Sequence, residues 1–166
     1  RFGGGIRCTA SSPTIINCII TGNTAGEYGG GFCNSYSSSP IITNCTFSEN
    51  SAESRLSGLG SGGGLCNLVN SSPILTNCTF SENFANHSGA GLYNSENSDP
   101  TLNICTFTAN TARHGGVVYN CYGSKPSFRN CIFSDNLAEY GGAVKNSEAV
   151  SILTNCTLYG NSAEMG

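Results

Sequence analysis

Asn44-Cys45-Thr46-Phe47-Ser48-Glu49-Asn50 returns unchanged as Asn77-Cys78-Thr79-Phe80-Ser81-Glu82-Asn83. Looser copies occupy Asn17–Asn23, Ile104–Asn110, Asn130–Asn136 and Asn155–Asn161. Their cysteines, Cys18, Cys45, Cys78, Cys105, Cys131 and Cys156, are spaced by 27, 33, 27, 26 and 25 residues. Self-similarity at a period of roughly 20–50 residues is the mark of a solenoid, propeller or array.

Working outward from that phrase, each copy divides into three short runs. One follows a glycine cluster, as in Gly31-Phe32-Cys33-Asn34 and Gly64-Leu65-Cys66-Asn67. A Ser- and Pro-rich turn follows, with Pro13, Pro40, Pro73, Pro100 and Pro126 at matching places. The second run carries Ile15, Ile42, Leu75, Leu102, Phe128 and Leu153, and the third Ile20, Phe47, Phe80, Phe107, Phe133 and Leu158. Apolar residues alternate with polar ones within each run, so one set faces inward and the other outward. The runs are too short for helices and are interrupted by Pro, Gly and Asn. Stacked lap upon lap, they predict an all-β parallel β-helix of about six coils of 25–33 residues, with three strands per coil.

The bulk properties agree and exclude some roles. Only 10% of the 166 residues are charged, while Gly, Ser, Asn and Thr are abundant, which favours strands and tight turns. A net charge of −3 argues against a nucleic-acid partner, which needs a basic stripe. No apolar run approaches the roughly 18 residues of a membrane span. Arg1–Gly5 is in phase with Glu27–Gly31, and Glu164–Gly166 is in the same phase of the next copy. Residues 1–166 are therefore expected to be one β-helix segment, uncapped at both ends and internal to a longer repeat protein.

The Phe-x-x-Asn runs (Phe47–Asn50, Phe80–Asn83, Phe107–Asn110, Phe133–Asn136) and Gly141-Gly142-Ala143-Val144 resemble the repeats of polymorphic outer-membrane proteins. The resemblance implies a right-handed β-helix of an extracellular or cell-surface adhesin. The chain also looks, more loosely, like the pectate-lyase superfold, which hosts enzymes as well.

Three sets of repeated side chains invite chemistry. The cysteine column reads mainly as buried free thiols acting as small hydrophobes, with soft-metal binding as an alternative. Cys33 and Cys66 share an outward position on adjacent coils and form the candidate disulfide, while Cys8 and Cys121 lie off the column. Asn17, Asn44, Asn77, Asn130 and Asn155, with Ile104 as the exception, are expected to stack as an amide ladder, and Asn34, Asn67, Asn94, Asn120 and Asn146 as a second. Asn44, Asn77 and Asn155 also begin glycosylation sequons, which require exposure; the ladder reading is preferred. Asn50 and its equivalents are expected to take left-handed geometry and bond local backbone.

The acids Glu49, Glu82 and Asp135, and Glu139 with Glu164, could form carboxylate pairs, but a repeat copies its solvated turn residues without any catalytic purpose. His87 and His114 read as exposed turn residues. Tyr93 and Tyr119 sit side by side as a candidate contact surface for sugar stacking or assembly. Arg55 lies in the lengthened stretch Glu53–Ser61, where a departure from the repeat suggests recognition. Thr46, Thr79, Thr106 and Thr157 make a partial threonine column of the kind an ice- or mineral-binding face would use.

No catalytic, cofactor or metal residue set emerges. The expectation is a non-catalytic structural or adhesive rod whose partner is a protein or glycan surface, or further copies end to end in filaments. A carbohydrate-binding or carbohydrate-cleaving β-helix is the alternative.

Overall fold

A computed structural model describes residues 2–55, 59–114 and 116–165. Four six-stranded parallel sheets run the length of a solenoid. Sheet I contains Ile6–Thr9, Phe32–Ser35, Leu65–Leu68, Leu92–Asn94, Val118–Cys121 and Val144–Ser147. Sheet II contains Thr14–Ile16, Ile41–Thr43, Ile74–Thr76, Thr101–Asn103, Ser127–Arg129 and Ile152–Thr154. Sheet III contains Ile19–Thr21, Thr46–Ser48, Thr79–Ser81, Thr106–Thr108, Ile132–Ser134 and Thr157–Tyr159. Each coil pairs in register with the next, so Phe47 lies under Phe80 and Phe80 under Phe107.

The expected three strands per coil become four. Sheet IV is built from the two-residue strands Thr24–Ala25, Ser51–Ala52, Phe84–Ala85, Thr111–Ala112, Leu137–Ala138 and Ser162–Ala163. Two residues cannot display an alternation, but a buried alanine in each of the first five coils closes the fourth wall.

Register converts the sequence columns into a core. Phe32, Leu65, Leu92 and Val118 from sheet I meet Ile42, Leu75, Leu102 and Phe128 from sheet II and the phenylalanines of sheet III. The rings of Phe47, Phe80, Phe107 and Phe133 stack at centroid separations of 4.8, 4.7 and 5.0 Å. That separation is the spacing of neighbouring strands, so the backbone ladder itself sets the ring stack.

Cys45, Cys78, Cys105 and Cys131 are buried beside it. Each thiol donates to the carbonyl two residues back, at 3.2–3.5 Å. Burial pushes the Cys45 thiol up, keeping it protonated. Cys18 is exposed and Cys156 only partly buried because they lie on the terminal coils. All ten cysteines are unbridged.

The corners are made by left-handed residues. Between sheets II and III the residue is Asn17, Asn44, Asn77, Ile104, Asn130 or Asn155, with φ from 51 to 56°. These asparagines form the expected ladder, Asn77 Nδ2 to Asn44 Oδ1 at 3.0 Å and Asn44 Nδ2 to Asn17 Oδ1 at 3.1 Å. At the Ile104 gap Asn130 donates instead to Asn103, at 3.2 Å. Contrary to the expectation, this ladder is exposed. Bonding in the ladder and exposure are thus compatible at the three sequons.

The Asn34 ladder is buried from Asn34 to Asn120 and continues to the exposed Asn146, with steps of 2.8–2.9 Å. Its acceptor end, Asn34 Oδ1, lacks a partner among the described residues because the register neighbour is Cys8.

The Asn50 column corrects the sequence reading. The left-handed residue is the preceding one, Glu49, Glu82, Ala109 or Asp135, with φ of 52–55°. That corner turns Asn50, Asn83, Asn110 and Asn136 inward, where they are buried. They bond one another at 2.9–3.1 Å and also bind backbone.

Candidate functional site

A groove runs along the outer face of sheet I, and the corner beyond that sheet builds one wall of it. Ala10, Tyr36, Val69, Glu96, Tyr122 and Glu148 occupy one column, all with φ between 48 and 56°. Left-handed geometry is costly for bulky or β-branched residues, yet Tyr36, Val69 and Tyr122 adopt it. The consequence is outward projection: Tyr36 and Tyr122 are 59% and 62% exposed.

The opposite wall is an aromatic row. Phe2 and Tyr28 stack at 5.5 Å, Tyr28 meets Tyr93 at 5.8 Å, and Tyr93 stacks on Tyr119 at 5.8 Å. Cations close both ends of the row: Arg7 over Phe2 at 5.1 Å and Lys145 over Tyr119 at 5.7 Å. Tyr28 is held by parallel bridges to Phe2 and Ser61. It lies at the turn before the glycines, and Gly29 and Gly62 make the sharp approach possible. Both have positive φ, and a Cβ on either would fall within 2.7 Å of Cys33 Cβ or 2.5 Å of Cys66 Cβ.

Between the walls lies a cleft of about 340 Å³. Phe2, Tyr28, Tyr36, Tyr93 and Tyr122 line it, with Leu68, Val69, Arg7 and Glu96. Burial pushes the Tyr28 phenol up to about 12 and raises Tyr93 further. Both therefore remain neutral hydroxyls across the physiological range. Tyr93 Oη also accepts from the Cys121 thiol at 3.4 Å. The cleft can thus offer aromatic surface together with neutral and charged hydrogen-bonding groups.

The sequence named part of this site. Tyr93 and Tyr119 are neighbours as expected, but Tyr93 is only 9% exposed, so it supplies an edge of the wall and not an open platform. Arg55 is exposed and away from the cleft. Of its stretch Glu53–Ser61, residues 56–58 lie outside the described residues. Cys33 and Cys66 are buried, not solvent-facing, because Phe2, Tyr28, Leu68, Tyr93 and Tyr119 cover that column. Tyr28, Tyr36 and Tyr122 were missed; the signal available was two tyrosines in the column that follows Asn-Ser or Asn-Cys.

The other candidates lie elsewhere. Glu49, Glu82 and Asp135 sit at exposed corners, with Ala109 separating Asp135 from the glutamates. Glu139 and Glu164 do share a shallow hollow of about 330 Å³ beside sheet IV, with Arg113. Glu139 is also paired with His114 Nδ1. His87 packs edge-on to His114, and its pKa is lowered by burial and by that neighbour. Thr46, Thr79 and Thr106 stack in register, flanked by Ile19 and Ile132. No group of three His, Cys, Asp or Glu side chains that could hold a metal occurs among the described residues. No helix there is long and apolar enough to cross a membrane.

No curated protein and no solved structure matches the chain. The family described as "right handed beta helix region" matches residues 1–120. With the parallel solenoid, in-register columns and stacked amides above, this match places the chain in the right-handed β-helix family.

Proposed function

We propose that this is a non-catalytic rod of an extracellular or cell-surface protein, and that its sheet I groove binds glycan. The observation that carries the reading is the pair of exposed left-handed tyrosines, Tyr36 and Tyr122, facing an aromatic row. Backbone strain retained at a bulky residue is a pointer to function. Pyranose rings present C–H faces to aromatics and hydroxyls to groups such as Arg7, Glu96 and the neutral phenols. The resemblance to surface adhesins supports the same setting.

Calorimetric titration with neutral and acidic oligosaccharides tests this reading. Tyr36→Ala and Tyr122→Ala should each weaken binding about two- to tenfold, one ring contact being worth roughly 0.5–1.5 kcal/mol. Thermal stability should barely move, since both side chains are mostly in solvent. Binding unaffected by either change would remove the groove from the proposal.

The hollow containing Arg113, Glu139 and Glu164 favours the carbohydrate-cleaving alternative. Turnover of a polyuronate or neutral glycan that disappears in Glu164→Gln would establish that alternative. End-to-end stacking of copies belongs to the rod proposal, and a single monomeric species in sedimentation at all concentrations would exclude it.

A further inference from the structure

Cys33 and Cys66 lie outside the core cysteine column, in an outer cluster with Tyr93 and Cys121. They are register partners on adjacent strands of sheet I, both wholly buried, with their sulfurs 3.0 Å apart. That is closer than the ordinary contact of two unbonded sulfurs. The core-column thiols Cys45, Cys78, Cys105 and Cys131 turn toward backbone carbonyls, with weaker thiol–thiol interactions of Cys105 with Cys78 and Cys131. In the outer column the neighbours of the pair are Arg7 and Tyr93, so neither sulfur has a second register partner to choose.

We propose that Cys33 and Cys66 form a disulfide as the chain folds under oxidising conditions, closing the 33-residue lap between them. The oxidant is a small disulfide such as oxidised glutathione. One protein thiolate attacks its S–S bond, forming a mixed disulfide and expelling one glutathione thiolate. The second protein thiolate attacks the protein sulfur of that mixed disulfide and expels the other. The protein loses two electrons, the oxidant gains them, and the two thiol protons pass to solvent and the departing thiolates. A bridge of about 2.05 Å needs the sulfurs to close by about 1 Å. Because Tyr28 and Leu68 pack over the pair, oxidation occurs before that cover is in place. The staple lies behind the groove wall and holds whether or not the groove takes a glycan.

Refolding the chain from denaturant in a glutathione redox buffer, alkylating it in denaturant and mapping its peptides tests the pairing. The expected result is a Cys33–Cys66 linked peptide, a mass two hydrogens lower, and eight alkylated cysteines, the ten less these two. Dithiothreitol should then lower the melting temperature by on the order of 10 °C. Cys33→Ala should leave nine alkylated cysteines and no bridge. Ten alkylated cysteines in the parent chain, bridges to other partners, or a bridged form that melts no higher would each overturn the proposal.

Discussion

Asn83→Ala should cost roughly 3–5 kcal/mol of stability, although it removes only a small polar side chain. Asn83 Oδ1 accepts from the Asn50 amide at 3.0 Å and from Asn50 Nδ2 at 3.1 Å. Its Nδ2 donates to the Phe47 carbonyl and to Asn110 Oδ1, both at 2.9 Å. All of this is shut away from water, with Asn83 only 1% exposed. Truncation strips the Asn50 backbone N–H and Nδ2 of an acceptor, and the Phe47 carbonyl and Asn110 Oδ1 of a donor, and a buried group left unpaired costs about 1–3 kcal/mol. Asn77→Ala supplies the control: it breaks a similar amide stack in water and places alanine at a left-handed residue, and should cost less than about 2 kcal/mol. Urea midpoints at constant m-value measure both. Asn83→Asp should be at least as harmful as Ala, because it keeps the acceptor and loses the donor while burying a charge. Equal costs for Asn83→Ala and Asn77→Ala would mean that burial does not govern these ladders.

That contrast also marks how far the sequence could be read. Fold class followed from the columns themselves, since a residue type kept at one phase through six laps has one simple physical cause, stacking. The Phe47–Phe133 file and the Asn34 ladder were legible for that reason. Which asparagines were buried was not legible, because both the Asn44 and the Asn50 columns repeat equally well. The difference lies in a single dihedral: Asn44 is itself left-handed and points out, whereas Glu49 takes that geometry and turns Asn50 in. The fourth sheet escaped notice because a two-residue strand has no alternation to detect.

The groove was half visible. Tyr93 and Tyr119 share an obvious column, but the opposing wall depends on Tyr36 and Tyr122, whose projection comes from the corner conformation. Tyr28 reaches over the Cys33 column from a turn. Period-two patterning assigns an inside and an outside to a strand, and cannot foresee an outside that a neighbouring turn covers.

Phe80→Ala should likewise cost about 3–5 kcal/mol, within the range for emptying a large aromatic site in a core. Phe80 is wholly buried and touches rings on both sides, Phe47 at 4.8 Å and Phe107 at 4.7 Å. Its ring edge also lies where a side chain on Gly64 would be, 2.9 Å from that glycine's absent Cβ. The lap cannot collapse into the vacated space, because strand spacing is fixed by the ladder bonds above and below. Phe80→Leu, which imitates Leu158 at the same phase, should recover more than half of the loss by filling most of the volume. Position along the stack then discriminates a file from a generic core. Leu158 is 49% exposed on the last coil and meets a register neighbour, Phe133, on one side only. Leu158→Ala should therefore cost under about 1.5 kcal/mol, several-fold less than Phe80→Ala. The double change Phe80→Ala with Phe107→Ala should cost less than the sum of its parts, since the second truncation enlarges a cavity already opened and loses a ring contact already gone. Full additivity, or a Leu158 cost equal to that of Phe80, would show that each lap stands on its own packing; the expected shortfall would show that stability here belongs to the contact between laps.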